Sequence, residues 1–486
     1  MSCLRPKSHP AWIVASAIIV VLLFLECSAF LVDAEALPRR LRYLPRYIQT
    51  LWQGLQPHPL LLPTPAPTAT VPAPQIVRLS LWPPVLPTPA QMTRPEGQAD
   101  GQERPITATL RPTPTAPVAM PSPTTTSPAI PIPLPTVTPL PMGPPTATSL
   151  ITPTLTATST PTPFPDITPT ALLTSVAQAV ILEGFTHEYQ TWNNCGPATL
   201  AMALGYYGWQ RTQADVAPTL KPDPDDKNVS LEEMAAYARS LGLGALVRVN
   251  GDLARLKLLL SNGFPVIIET WFIPKPGDEM GHYRLLIGYD EGAGHFISCD
   301  AYEGPRTRLP YEPFDQLWKV FNRLYLVVYP LERAEAIATI IGPDLDDEAM
   351  YQAALARVQA EAAANPEDRF AWFNVGSNLT GLGRYAEATA VYDRARVLGL
   401  PWRMLWYQFG PFEAYYRAGR YDEVLALAEA NLRTARDLEE SHTYRGLALQ
   451  ALGQLEAARK AYQRALGCNP LFAPAAEALA ALEHPP

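Results

Sequence analysis

The sequence predicts an α+β domain followed by an all-α repeat solenoid, preceded by an apolar N-terminal segment and a long proline- and threonine-rich tract. Three observations carry that prediction. Proline is concentrated, with 31 of the 54 in the chain falling between Pro57 and Pro169. Between residues 176 and 332, helical patterns come first and β-branched or aromatic runs follow, joined by short connections, the order of an α+β domain. From about Glu335 onward, alanine-rich helical patterns recur at offsets of 36 and 34 residues, a period that marks stacked helical units.

Residues 1–34 carry Arg5 and Lys7 and then run without charge from Ala11 to Leu25. Glu26 and Cys27 interrupt the run, and Ser28–Val32 is apolar again. The uninterrupted part has the length of a signal-peptide core, and with the second part it just reaches a bilayer-spanning length. Val32-Asp33-Ala34 reads as a small-residue cleavage site. Arg39, Arg40, Arg42 and Arg46 follow, which weakens a positive-inside argument, and Glu26 before Cys27 suits a lipid-anchor motif poorly. The segment is read as a signal anchor (a single transmembrane helix) or signal peptide, with the bulk of the protein extracytoplasmic, at the cell membrane or secreted. Residues 35–175 repeat Pro-Thr and Pro-Ala with few charges. They bury too little surface to offset ordering entropy, and read as a disordered stalk of polyproline II character.

The formal net charge of −8 includes no long run of either sign, which argues against nucleic-acid binding. Cys3, Cys27, Cys195, Cys299 and Cys468 are scattered and odd in number, without a CxxC pair. That disfavours a disulfide framework or a cysteine zinc site, and no cofactor or metal is expected. The loop Asp223-Pro224-Asp225-Asp226 lacks calcium-loop spacing and is expected to be solvated.

Within 176–332, Asn194 reads as an N-cap before Cys195, and Pro197 suits a first helical turn. Leu200, Leu204 and Tyr207 recur at helical spacing. A cysteine at that position feels the positive end of the helix dipole, which favours thiolate. Ser230–Leu241 carries a capping box and ends at Gly242, and Asp252–Leu260 is a second capped helix, stopped by Asn262-Gly263. Strands are read at 245–249, 265–270, 283–289, 295–299 and 324–329, with 290–294 as a hairpin turn. Thiolate catalysis needs an imidazole, a group to orient it and an oxyanion donor. His282 opens a strand, at a sheet edge rather than deep inside. Asp300 ends the next one, so pairing of the two as a hairpin brings them together. Gln190, five residues before Cys195, is placed to turn its amide toward an oxyanion. His295 falls at the wrong end of that hairpin, His187 on the cleft rim, and Cys299 on the core face. Trp192 and Trp271 are candidate groove-lining aromatics.

Taken together, Gln190-x-x-x-x-Cys195-Gly196-Pro197-Ala198, Tyr206-Tyr207-Gly208, Gly263-Phe264-Pro265, Gly281-His282-Tyr283 through Gly288-Tyr289-Asp290, and Asp300 with Gly304 resemble the double-glycine (bacteriocin-leader) peptidases and their papain-like relatives. The resemblance covers about Phe185–Tyr329. It implies a papain-like fold with Cys195 as nucleophile, His282 as general base and acid, Asp300 as orienter and Gln190 in the oxyanion hole. Asn194 stands where many members have Asp, and no transporter domain follows, departures that weaken the expectation of a leader-peptide substrate.

In residues 335–486, Gly383-Arg384-Tyr385, Gly419-Arg420-Tyr421 and Gly453-Gln454-Leu455 open corresponding segments. Trp372, Gly376, Ala388, Tyr392 and Ala395 occupy one unit, and Gly446, Ala458, Tyr462, Ala465 and Pro470 another. These resemble tetratricopeptide repeats, whose concave face suits peptides or partner proteins. The middle unit is degenerate, and 347–364 reads as a lone preceding helix. The functional expectation is a tethered cysteine peptidase acting on a peptide or protein substrate, with the repeats recruiting a protein partner. The alternatives are an inactive binding scaffold and an acyl transferase or amidase using the same triad.

Overall fold

The computed structural model describes residues 61–65, 176–274 and 278–484. The predicted anchor at 1–34, and the 35–175 tract apart from 61–65, lie outside them. No helix among the described residues is long and apolar enough to cross a membrane.

The α+β part is built on a seven-stranded sheet comprising β1 (Ala179–Ile181), β2 (Gly244–Arg248), β3 (Val266–Phe272), β4 (Met280–Asp290), β5 (His295–Asp300), β6 (Gly304–Pro310) and β7 (Tyr325–Tyr329). Its order is β2-β7-β3-β4-β5-β6, with β1 beside the far end of β4. Every pairing is antiparallel. The long β4 is therefore flanked by β3 over its first half and by β1 over its second.

Helix α1 (Cys195–Tyr206) is apolar on nearly every side, as a helix enclosed by a core must be. Leu200 and Leu204 are fully buried and share a core with Ile267, Leu285 and Leu326 of the sheet. Burial of each leucine contributes about 1.5–3 kcal/mol. Asn194 stands at the N-cap but makes no cap bond; its amide donates to Gln213 instead. Helix α2 (Gln213–Leu220) contains Pro218 and escaped the pattern reading. The capping box of α3 (Leu231–Ser240) forms between Ser230 and Glu233. Asp252 caps α4 (Leu253–Ser261) through the Arg255 N–H. The sheet's other face packs on α4, α5 (Tyr311–Trp318) and α6 (Ala334–Ile341), around Phe296, Trp318 and Ile341.

An all-helical region follows: α7 (Asp347–Ala364), α8 (Arg369–Gly381), α9 (Tyr385–Val397), α10 (Gly410–Arg417), α11 (Tyr421–Thr434), α12 (Glu439–Ala451), α13 (Leu455–Cys468) and α14 (Ala473–Glu483). The three related sequence motifs fold into three like turns. Gly383, Gly419 and Gly453 have φ of 71°, 75° and 75°, a left-handed conformation that glycine adopts without strain. Gly376 packs against the ring of Tyr392, and Gly446 against that of Tyr462, where a Cβ would fall 2.6 and 2.4 Å from ring carbons. Helix α7 is not a lone helix: Tyr351 packs on Gly381 of α8.

The two parts share an interface, and it revises two expectations. Trp271 does not line a groove. It is buried against Phe321 and Phe370, on the side facing the helical region. The 223–226 loop is solvated only in part, with Pro224 exposed and Asp226 buried. Asp226 is 2% exposed, and neighbouring Asn228 donates to Glu440 of α12 at 2.6 Å. Lys319–Asp368 and Asn322–Asn378 add polar contacts. Residues 398–409, between α9 and α10, reach the connection between β3 and β4: Arg403 pairs with Asp278 and donates to the Glu279 carbonyl.

Candidate active site

Cys195 opens α1, where the first backbone N–H groups lack partners within the helix. The loop before it is fixed by Gln213. Its Oε1 accepts from the Thr191 N–H at 2.7 Å and the Asn194 amide at 2.8 Å, and its Nε2 donates to Glu188 and the Tyr189 carbonyl. Lys221 lies on the other side and donates to the carbonyls of Trp192, Asn193 and Pro224. Asn193 takes a left-handed φ of 51°, so the chain turns sharply just before the cysteine.

His282 lies on β4 paired with Thr270 of β3. It is the third residue of the strand and 4% exposed, so it is buried in the sheet rather than at an edge as read from the sequence. The β4–β5 pairing begins at Leu285↔Cys299. Asp300 therefore emerges just past the last paired residues, beside His282, and His282 Nε2 meets Asp300 Oδ1 at 2.8 Å. The hairpin argument gave this juxtaposition. Asp300 Oδ1 also accepts the N–H groups of Tyr302 and Glu303, while Oδ2 pairs with Arg284 Nε at 2.8 Å. Arg284 further donates to Thr270 Oγ1. With Nε2 turned to Asp300, the other ring nitrogen remains for Cys195, and the thiol and the imidazole favour each other's charged forms.

The electrostatics follow from this layout. Burial alone would lower His282, but the Asp300 charge and hydrogen bond outweigh it and push the imidazole up to about 9. Burial works against the Cys195 thiolate. The His282 hydrogen bond and charge, the Tyr283 backbone N–H and the Lys221 ammonium together hold the thiol below its ordinary value. Asp300 is held well below the carboxylate range, against its burial, by His282 and Arg284. Cys299 and Cys468 are buried free thiols raised by desolvation. This electrostatic contrast sets Cys195 apart from both.

Gln190 is tied down by its N–H to the Ala301 carbonyl at 2.8 Å, and its buried side-chain Oε1 has no hydrogen-bond partner among the described residues. His187, read as rim, contacts the Asp300 carbonyl through Nε2 at 2.9 Å. His295 pairs with Asp290 at the far end of the hairpin. Trp192 lies beneath Lys227, with Nζ 5.7 Å from the ring centroid. Sequence reasoning missed Gln213, Lys221 and Arg284, none of which has a local signature. It also missed Glu269, a buried carboxyl that desolvation and the Cys195 charge push well above its ordinary value. Asp223, Asp437 and Cys468 approach one another closely enough to share an ion, but they stand outside the Cys195 site.

Residues 182–326 match the family described as Peptidase_C39 like family. Among solved structures, the chain is similar to a C39-like peptidase from Bacillus anthracis, at 20% identity and TM-score 0.27, covering 31% of this chain and 98% of that one. It is similar to the peptidase domain of Streptococcus ComA, a bi-functional ABC transporter involved in a quorum-sensing pathway, at 19% identity and TM-score 0.25, covering 30% and 99%. The MamA RS-1 ArsTM double mutant is similar at 23% identity and TM-score 0.21, covering 28% and 84%. No curated protein matches. Residues 182–326 are thus similar to a C39-like peptidase family, and an all-helical region follows them.

Proposed function

We propose that the protein is a cysteine peptidase acting through Cys195, His282 and Asp300, with Gln190 in the oxyanion hole. The supporting observation is His282, fixed on Asp300 at 2.8 Å through Nε2 and favouring the Cys195 thiolate with its charge. In this reading the Cys195 thiolate attacks the carbonyl carbon of a peptide bond, and the carbonyl π electrons move to oxygen. The Gln190 amide and the free N–H groups opening α1 stabilise the oxyanion. The His282 imidazolium gives its proton to the departing amine as the C–N bond breaks, leaving a thioester on Sγ. Water then attacks the thioester, His282 takes the water proton, and the carboxylic acid leaves as the thiolate reforms. Asp300 stays ionised and holds the ring.

The helical region is read as a tetratricopeptide-type array that recruits a protein substrate or partner. The N-terminal segment is read as a membrane tether, with the peptidase held outside the cytoplasm. Peptide-library profiling of released amines tests the chemistry. Turnover lost in Cys195→Ala and His282→Ala supports it, and turnover retained in Cys195→Ala refutes it. Fractionation of the full chain with and without residues 1–34 tests the tether.

A further inference from the structure

Residues 61–65, Leu-Leu-Pro-Thr-Pro, belong by sequence to the proline-rich tract but are seated on the helical array. The Leu62 N–H donates to the Leu400 carbonyl at 3.0 Å, and Leu61 forms an antiparallel bridge with Pro401. The Leu62 side chain is 5% exposed and joins the core of the helical region. Leu61 rests on Gly399, where a Cβ would fall 3.2 Å from its Cδ1 and where φ is +87°. Arg396 Nε donates to the Pro63 carbonyl at 2.8 Å. That arginine is 1% exposed and held by Glu423 and Tyr415, and its Nη2 has no hydrogen-bond partner among the described residues. Without the segment, Nε would lose its acceptor as well, in a place where unpaired polar groups are costly. The seat is thus a built recognition site: a backbone bond, an apolar hole, a glycine that admits a leucine, and a fixed guanidinium reading a carbonyl.

We propose that this seat is built for the Leu62 side chain and the Pro63 carbonyl and that Leu61–Pro65 is its ligand in the same chain, a latch that ties the proline-rich tract to the helical array. Proline suits the role because its extended conformation is set before binding, which lowers the ordering cost. The tract repeats Leu-Pro-Thr twice more, at Leu86-Pro87-Thr88 and Leu134-Pro135-Thr136, so those segments are competitors for the same seat.

The test uses the full chain and a fluorescent peptide with the sequence of residues 58–66. In Leu62→Asp/Leu86→Asp/Leu134→Asp the seat is empty and binds the peptide. The unaltered chain binds it at least about tenfold more weakly, because the tethered segment competes at up to millimolar effective concentration. Adding Arg396→Ala to the triple variant removes binding. Hydrogen exchange on the unaltered chain gives a second measurement independent of folding of the variants: the Leu62 N–H is protected. Equal peptide binding by the two chains, binding by neither, or a Leu62 N–H that exchanges like a free peptide overturns the latch. Failure of the membrane tether leaves each of these readouts unchanged.

Discussion

Replacing Asp300 with Asn keeps the shape of the side chain and removes its charge, and the geometry fixes what must follow. Asp300 is wholly buried and shared between His282 and Arg284. Without the carboxylate, burial is left to act on His282, and its pKa falls from about 9 to the ordinary imidazole value of 6.5 or below. That drop is worth about 3 kcal/mol of imidazolium stabilisation, so the thiolate–imidazolium pair and the rate it supports fall by about 10²-fold. Arg284 keeps only its longer pairing with Glu303, at 3.6 Å, and removal of the closer buried partner costs up to about 3–5 kcal/mol. The two effects separate in Asp300→Asn/Arg284→Met, which recovers stability in thermal melts but not reactivity. The assay is the rate of iodoacetamide alkylation at Cys195 against pH, read by peptide mass mapping. In the unaltered chain the reactive plateau extends to about pH 9, where the imidazolium is lost. In Asp300→Asn the plateau disappears and the thiol titrates near its ordinary value. An unchanged pH profile in Asp300→Asn would refute the reasoning.

Two further perturbations test the surroundings. Lys221→Met removes three donated hydrogen bonds and the ammonium near Cys195; it should destabilise the domain by about 2 kcal/mol and slow alkylation several-fold at mildly acidic pH, measured by melting and alkylation kinetics. Glu439, raised to about 7 by burial and the Glu233 charge, binds its proton more tightly folded than unfolded. Stability is therefore lost as pH rises from about 4.5 through 7, by about 3 kcal/mol in all. Glu439→Gln should raise Tm at mildly alkaline pH and leave it unchanged near the lower end of that window. A Tm gain that does not depend on pH would contradict the assignment.

Much of the site was legible because its signals are local or topological. Ser230 and Glu233 announce a helix start through a capping box. The Cys195-Gly196-Pro197 run marks another helix start, although Asn194 turned out to serve Gln213 rather than the helix. A short connection between two β-rich runs was enough to bring Asp300 to His282. What stayed hidden depends on distant contacts. Gln213, Lys221 and Arg284 are ordinary polar residues until the fold carries them to the cysteine loop and the aspartate. β6 shows Arg306, Thr307 and Arg308 because it is an edge strand with an exposed side, so it lacks the apolar run that marks an inner strand. Trp271 was assigned to a groove and the 223–226 loop to solvent because sequence patterns do not reveal that the helical region packs there. The Leu61–Pro65 seat was obscured for the same reason: its composition matches the tract around it, and only the positions of Arg396 and Gly399 distinguish it.

The central claim is a Cys195 thiolate stabilised by His282, and the most direct measurement is the ultraviolet thiolate titration of the full chain, taken as the difference from Cys195→Ser. The account predicts a difference band that appears below the ordinary thiol pKa and moves to higher pH in His282→Ala. A band that rises only at the ordinary thiol value and is indifferent to His282→Ala would contradict it.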